Sequence, residues 1–356
     1  MPTYSYGAFA LNQNASGLGY YLIAKQLPIP EVKPVTFPVA RLAGLKKSGE
    51  QVTERTITVK IVVVGTSRVD LIARVDALQA ALSLRSQTLI IHEDGRYYQS
   101  VDAISAPTDF QAGNGIVQCH IAVVLTAYDP YAYAASSTTY DSGSTVLTLS
   151  SGSWVFPAIN ITGGGTVYSY PFIRLINLTS TGSTTLTANR NSGTAYTTIA
   201  VAATSFSGSV GDTITITHGV TTQTLTVGTA FSVGATTITV SSFTASANYV
   251  SGDVAAKVTQ WNSFTIAQTT DTLTLSGNTS VGAPLPEVNG DYVDIQCDPA
   301  AASGWTIQTN NSGVYAEPVG LFPVVEPFST AFSISIASGS AVTAQCQITY
   351  VPRYAS

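Results

Sequence analysis

The first third of the chain alternates apolar and polar residues in short stretches that surround one amphipathic helix. In residues 55–63, Ile57, Val59, Ile61 and Val63 fall on one side, which predicts a half-buried strand. Residues 67–82 then change to helical spacing, with Ser67 placed as the N-cap. The apolar stripe of this predicted helix consists of Leu71, Val75, Leu78 and Leu82.

Two further strands and a long closing strand follow the helix. Residues 88–91 and 96–98 are mostly apolar or aromatic, and Glu93-Asp94-Gly95 between them is a hairpin signal. The closing strand is expected from Ile116 to Tyr128. It ends at Asp129-Pro130-Tyr131, because proline cannot donate a hydrogen bond to a strand ladder.

The rest of the chain reads as β-structure without a helical period. Short apolar stretches separated by Gly, Asn, Pro and Ser clusters predict a sandwich. The fold class expected is mainly β, with an N-terminal sheet or sandwich domain that holds the one helix. The domains expected are 1–135, a linker at 136–154, a sandwich formed by 155–181 and 258–356, and a small β domain inserted at 182–257. Within the insertion, residues 197–201 are echoed by 236–240, which suggests one duplicated unit.

Charge is sparse and unevenly distributed. Charged residues make up 10% of the 356 positions, against about 25% in a typical soluble domain. Residues 1–135 hold 11 Lys/Arg and 10 Asp/Glu, a balance of +1, whereas residues 136–356 hold 4 and 10, a balance of −6. The net charge of −5 argues against nucleic-acid binding as the main role.

Segments for export or membrane insertion are not expected. The N-terminal residues lack the basic and apolar regions of a signal peptide, and no apolar run approaches the roughly 20 residues that a bilayer requires. We therefore expect synthesis in a cytoplasm. Cys119, Cys297 and Cys346 lie far apart in apolar stretches and are expected to be buried thiols.

No residue pattern indicates catalysis, a cofactor or a metal ion. The chain has three histidines and lacks the nucleophile-elbow, phosphate-loop and zinc-protease motifs. A metal at His92-Glu93-Asp94 is disfavoured because adjacent strand residues point to opposite faces. Asp291, Asp294 and Asp298 are interpreted as a solvated strand edge. The three tryptophans are interpreted as core or interface residues rather than as a sugar site; they are Trp154, Trp261 and Trp305.

The first 135 residues resemble the N-terminal domain of siphophage distal tail proteins, the hub subunits at the tip of a long flexible tail. The resemblance rests on the strand at 55–59, the helix at 67–82, the hairpin through Arg96-Tyr97-Tyr98 and the closing Asp129-Pro130-Tyr131. The C-terminal sandwich, which ends with Val351-Pro352-Arg353-Tyr354, resembles the galectin-like β-sandwich of the same family. The insertion departs from the minimal pattern of that family.

The resemblance implies a structural protein of the virion tail tip that forms a six-fold ring. Its implied partners are other copies of itself, the tail tube protein, the tape measure protein, and the tail-tip hub and receptor-binding proteins. Unpaired sheet edges can be removed by pairing between copies. The self-assembly contacts expected are Arg41, Lys46, Lys47, Arg55 and Tyr128. The alternative function is a carbohydrate-binding adhesin or tail decoration protein that recognises a host surface glycan.

Overall fold

The computed structural model describes residues 4–15, 17–30, 32–38, 45–110, 117–163, 165–179, 181–268, 271–276, 285–286, 289–299, 306–310 and 319–355. The chain divides into two compact units. The first unit contains residues 1–137, 163–169 and 351–356, and the second contains 138–162 and 170–350. The fold is mainly β, as predicted.

The first unit contains one large sheet with a helix on one face, and a separate two-stranded hairpin. Its elements in chain order are β1 Ser5–Tyr6, β2 Phe9–Ala10, β3 Asn14–Ala15, β4 Leu18–Gln26, β5 Val32–Pro38, β6 Leu45–Val52, β7 Arg55–Val64, α1 Arg68–Leu82, β8 Gln87–Ile90, β9 Tyr97–Ser105, β10 Thr108–Phe110, β11 Gln118–Ala127 and β12 Ala132–Tyr133. The sheet order is β2-β1-β8-β9-β11-β7-β4-β3, and β10 pairs with β11. The last strand of the chain, β32 Arg353–Tyr354, pairs with β12, which also pairs with β9.

Helix α1 begins and ends as the sequence predicts. Ser67 is the N-cap, and its hydroxyl accepts the backbone N–H of Asp70 at 3.2 Å. The four residues of the predicted stripe are all buried in one core with the apolar positions of β7 and β11. The alternation in β7 and β11 therefore places one face of the sheet under the helix and leaves the other face partly exposed.

The predicted hairpin is also present. Strands β8 and β9 pair antiparallel, with Leu89 opposite Tyr98, and Gly95 in the connection has a φ of +81°. A positive φ of this size favours glycine because it has no Cβ. The Asp-Gly signal in the sequence thus identified the turn.

The second unit contains a sandwich of two sheets. Its strands are β13 Thr138–Asp141, β14 Thr145–Val146, β15 Thr148–Ser150, β16 Ser153–Val155, β17 Ile159–Thr162, β18 Phe172–Asn177, β25 Trp261–Ala267, β26 Thr272–Ser276, β27 Tyr292–Gln296, β28 Thr306–Thr309, β29 Val319–Gly320, β30 Ser329–Ser338 and β31 Thr343–Tyr350. One sheet has the order β13-β31-β18-β27-β28, with β14 beside β31, and the other has the order β15-β16-β30-β25-β26-β29, with β17 beside β30. Their inward side chains form one apolar core.

The expected linker at 136–154 carries strands instead. Residues of β13 pair with β31, and β15 and β16 join the other sheet through β30. The segment is rich in Ser, Thr and Gly, which suggested a linker. Threonine and serine are also suited to the outer face of a strand, and Leu147 is buried in the sandwich core.

The insertion at 182–257 has its own core and contains two halves with matching turns. Its strands are β19 Ser183–Thr185, β20 Ala195–Ala200, β21 Thr213–His218, β22 Thr221–Thr226, β23 Thr237–Thr244 and β24 Val254–Lys257. The two halves of the repeat pair with each other, with Ile199 opposite Ile238. Matching turns precede Asp212 and Asp253: the N–H of Gly211 donates to Val227 and that of Gly252 donates to Leu186. The structure thus agrees with one duplicated unit.

Three features bear on membranes, metals and redox chemistry. Among the described residues, no helix is long and apolar enough to cross a membrane, and no group of three or more potential metal-binding side chains is found. The three cysteines are buried and free, as expected. Burial raises the pKa of each thiol, so the thiolate is disfavoured.

Candidate assembly surfaces

Strands β5 and β6 form a hairpin that pairs with no other strand among the described residues. We call residues 32–52 the hairpin arm. Its strands run antiparallel from the pair Val32–Val52 to the pair Pro38–Leu45, and at about 3.4 Å per residue the eight residues of β6 span about 25 Å. The arm leaves the large sheet after β4 and returns at β7, the strand that β4 pairs with. Both outer edges of the arm can therefore accept a further strand.

Three of the expected contact residues belong to this arm. Lys46 and Lys47 lie on β6, where the backbone is described. Arg41 lies outside the described residues. The structure therefore places the backbone of the two lysines on the hairpin arm, and their use between copies stays a prediction.

Arg55 lies inside the first unit, in contrast to the expectation that it contacts another copy. Its side chain is 1% exposed, and its guanidinium donates to the carbonyl oxygens of Leu27, Pro130 and Ala355 at 3.1–3.4 Å. It also lies 5.4 Å from the ring of Tyr98. Burial lowers the pKa of Arg55 below its ordinary value. Arg55 thus ties the root of the hairpin arm to the end of β11 and to the C-terminal segment.

The sequence contained the signal for this burial. Arg55 stands two residues before Ile57 and four before Val59, so all three lie on the buried face of β7. A charged residue at the first position of a strand is easily assigned to the surface, because burial of a cation is expensive unless polar partners surround it. The carbonyl groups that surround Arg55 come from three distant segments that no local pattern identifies.

Tyr128 lies at the surface beside an open strand edge. Its side chain is 54% exposed, and its hydroxyl donates to Asp102 at 3.3 Å. Asp102 also accepts the backbone N–H of Ser86 at 2.6 Å and lies 3.6 Å from the Arg85 guanidinium. On these same segments, the side chains of Leu84 and Ile104 are exposed. This surface therefore combines apolar side chains with the Asp102 carboxylate, which its hydrogen bonds hold in place.

A groove runs between the end of α1 and the end of β9. Its volume is about 240 Å³, and it is lined by Gln79, Leu82, Ser83 and residues 103–106. Strand β8 pairs with β9 only as far as Val101, so the β8 side of residues 102–105 has no strand partner among the described residues. An open edge of this kind is a template for strand addition.

A second groove crosses the face of the large sheet opposite α1. It has a volume of about 290 Å³ and takes its lining from β4, β7, β10 and β11, including Ile23, Lys60, Asp109 and His120. Ile23 is exposed, as is Phe110 on neighbouring β10. Exposed apolar side chains that lie together beside a groove can contact another protein.

Arg353 closes the first unit by binding the turn after β11. Its Nη2 lies 2.9 Å from both carboxylate oxygens of Asp129, and its guanidinium carbon lies 4.8 Å from the Tyr131 ring and 5.3 Å from the Tyr133 ring. The Tyr133 hydroxyl also donates to Asp129. The Asp-Pro-Tyr turn thus binds the chain's own C-terminal segment.

Comparison with solved structures identifies the fold. The structure of the Dit protein of phage SPP1, described as a paradigm of the hub adsorption apparatus in phages that infect Gram-positive bacteria, matches with a TM-score of 0.50 at 11% identity. The match covers 99% of this chain and 98% of that one. This chain has the fold of a siphophage distal tail protein. The distal tail protein fold accordingly includes both units, and the match is not confined to one of them.

The remaining comparisons add little. The baseplate of phage P2 in its activated conformation matches with a TM-score of 0.31 at 7% identity over 96% of this chain and 94% of that one, a likeness too distant to carry an argument. No family model matches the sequence, and no curated protein matches it.

Proposed function

We propose that this chain is the structural hub protein of a long-tailed phage, located in the virion at the tail tip. The observation that carries the proposal is the fold match to the hub protein of phage SPP1 over nearly the whole chain. In this proposal the protein has no catalytic role. It joins the tail tube to the tail-tip and receptor-binding apparatus, and it is made in the host cytoplasm.

The first unit would form a ring of copies, with six as the expected number. Closed rotational symmetry removes exposed sheet edges, because the edge of each copy is covered by the next. The hairpin arm is the element best suited to this role, since its strands have only each other as partners among the described residues. The surface of Tyr128 and the groove beside β9 offer a complementary edge.

Other tail proteins would complete the assembly. The tail tube protein would contact one side of the ring, the tape measure protein would occupy its lumen, and hub and receptor-binding proteins would attach at the tip. The second unit would be the galectin-like domain, with the insertion as an addition to it. The sparse charge of residues 136–356 suits a polar exterior rich in Ser and Thr.

Shortening the hairpin arm tests ring formation. Residues 32–52 would be replaced by a short Gly/Ser linker between Glu31 and Thr53, outside the sequence of α1 and of the large sheet. The intact protein should sediment as a multiple of its 37.1 kDa mass, and the shortened variant should sediment as a single chain. The matched control replaces exposed Val220, in the insertion, with threonine and should assemble normally. Assembly that is unchanged without the arm would contradict its proposed role, and a single-chain mass for the intact protein would contradict the ring.

A further inference from the structure

One face of the sandwich carries a straight row of polar side chains across five strands. Strand pairing places Asp141 opposite Gln347, Gln347 opposite Arg174, Arg174 opposite Asp294, and Asp294 opposite Gln308. We call these five residues the polar row. Directly paired residues lie on the same face of a sheet. With strands about 4.8 Å apart, the row is about 19 Å long.

The polar row lies on the outer face of its sheet. The alternate residues of the same strands point into the sandwich core, including Ile173, Val293, Ile307 and Ile348. The row residues themselves are half-buried or exposed. Asp141 and Gln308 are exposed, and the side chains of Arg174 and Asp294 are 35% and 19% exposed, so a ligand can contact each of these four residues.

Hydrogen bonds within the row hold its planar groups in place. The Arg174 guanidinium binds Asp294 through two bonds, Nε to Oδ1 at 2.6 Å and Nη2 to Oδ2 at 2.7 Å. Asp141 accepts the side-chain amides of Gln347 at 3.0 Å and of Gln345, in the adjacent row, at 2.7 Å. Such charge-assisted pairs orient both partners before any ligand arrives.

The row keeps hydrogen-bonding capacity for a ligand. A guanidinium has five N–H donors, and Asp294 takes two of those of Arg174. The amide nitrogens of Gln345 and Gln347 donate to Asp141, which leaves their amide oxygens as acceptors. Donors and acceptors thus lie side by side, at the spacing of neighbouring strands.

Aromatic rings flank the polar row on both sides. Tyr292 lies in one neighbouring row and Phe172 in the other, with ring centres 4.3 Å and 5.8 Å from the guanidinium carbon of Arg174. Both rings are half-buried. The Arg174 guanidinium lies over the Tyr292 ring, and the ring surface that stays exposed lies next to fixed polar groups, the combination that orients a small polar ligand.

The chemistry of the face favours a neutral ligand rich in hydroxyl groups. Arg174 is neutralised by Asp294, and Asp141 leaves the row with a net charge of −1, which disfavours anionic ligands such as nucleic acids. A strongly apolar partner would have to desolvate the ion pair and the amides. Sugar hydroxyls both donate and accept, and the C–H faces of sugar rings can lie against aromatic rings. We propose that the polar row and its two flanking rings bind a neutral oligosaccharide laid across the strands.

Direct binding measurements on the full chain test this proposal. The probe is an array of neutral and phosphate-bearing bacterial-surface oligosaccharides, followed by calorimetric titration of the retained compounds. We expect neutral oligosaccharides to bind with a Kd of about 0.1–1 mM, because a flat face gives few simultaneous contacts. Arg174→Lys and Tyr292→Ala should each weaken binding about tenfold, the loss of one good contact.

Two further variants keep the test decisive. Gln308→Ala changes an exposed side chain that should not affect folding, and it should weaken binding about threefold. His218→Ala, on the insertion and outside this face, is the matched control and should bind as the unchanged protein does. Absence of neutral glycan binding, binding confined to phosphate-bearing compounds, or binding unaffected by Gln308→Ala and Arg174→Lys would overturn the proposal. None of these outcomes depends on whether the protein forms a ring.

Discussion

Arg353 binds Asp129 across 224 positions of the chain, with Nη2 2.9 Å from each carboxylate oxygen. The backbone around Arg353 is fixed as well, because its N–H donates to the Ser169 hydroxyl and its carbonyl accepts the N–H of Thr166. The first unit is therefore complete only when the last residues of the chain have joined it. Its stability depends on contacts made by residues 351–356, which follow the whole second unit in the sequence.

Loss of the Arg353 side chain should destabilise the first unit. Arg353→Ala removes a mostly buried ion pair and the contacts with two tyrosine rings, and we expect a loss of about 2–4 kcal/mol in the free energy of unfolding. Urea unfolding followed by tyrosine fluorescence measures this loss. The matched control is Arg74→Gln, which breaks a half-exposed pair with Asp70 on α1 and should cost about 0.5 kcal/mol or less. Equal effects of the two variants would contradict the role assigned to Arg353.

The two halves of the insertion provide an internal comparison of matching aspartates. Asp212 is 1% exposed and lies 2.7 Å from Lys257, which is 6% exposed. Its other oxygen accepts the N–H of Ala341 at 2.6 Å. The matching Asp253 pairs instead with His218 at the surface. Asp212→Asn should therefore cost about 3 kcal/mol, because Lys257 is left buried without its charged partner. Asp253→Asn should cost less than about 1 kcal/mol.

Thermal unfolding of both variants checks this difference. The side chains are of equal size, and both aspartates accept a backbone N–H in a turn of the same kind. The comparison thus separates the effect of burial from that of the turn. Similar melting temperatures for the two variants would show that the ion pair between Asp212 and Lys257 contributes little to folding.

His92 should make the first unit sensitive to acid. Burial lowers the pKa of His92 to about 4 from its ordinary value of 6.5, and the positive charge of Arg96 adds to this effect. The unfolded chain thus binds a proton near pH 6.5 that the folded chain does not bind until about pH 4. The contribution of neutral His92 to the free energy of unfolding is fully present above about pH 6.5, and it is lost as the pH falls toward 4.

Unfolding in urea at pH 7.5 and pH 4.5 measures this contribution. We expect His92 to account for a loss of about 2 kcal/mol between the two values. In His92→Gln the free energy of unfolding should depend less on pH, by that amount. The carboxylates of the chain contribute equally to both proteins. An identical pH dependence in the two proteins would indicate that folding leaves the pKa of His92 unchanged.

Local patterns predicted the elements that depend on local chemistry. The cap at Ser67, the four buried residues of α1 and the Asp-Gly turn at Gly95 all follow from spacing within one element. The strands of the sandwich were predicted in the same way, since apolar residues at every second position must face a core. These signals are independent of what lies elsewhere in the chain.

Partners distant in sequence were not predictable from such patterns. Nothing near Asp129 identifies Arg353, and nothing near Arg55 identifies the carbonyl groups of Leu27, Pro130 and Ala355. Asp294 was interpreted as a solvated residue, yet it pairs with Arg174 on the next strand. In each case the partner comes from another segment of the chain, and the alternation of residues along one strand does not specify it.

Electron microscopy of the purified 356-residue chain tests the proposed hub most directly. Negative-stain images at micromolar concentration should contain annular particles, and their class averages should show six-fold symmetry. Uniform particles of the size expected for one 37.1 kDa chain, unchanged as the concentration rises, would contradict the account.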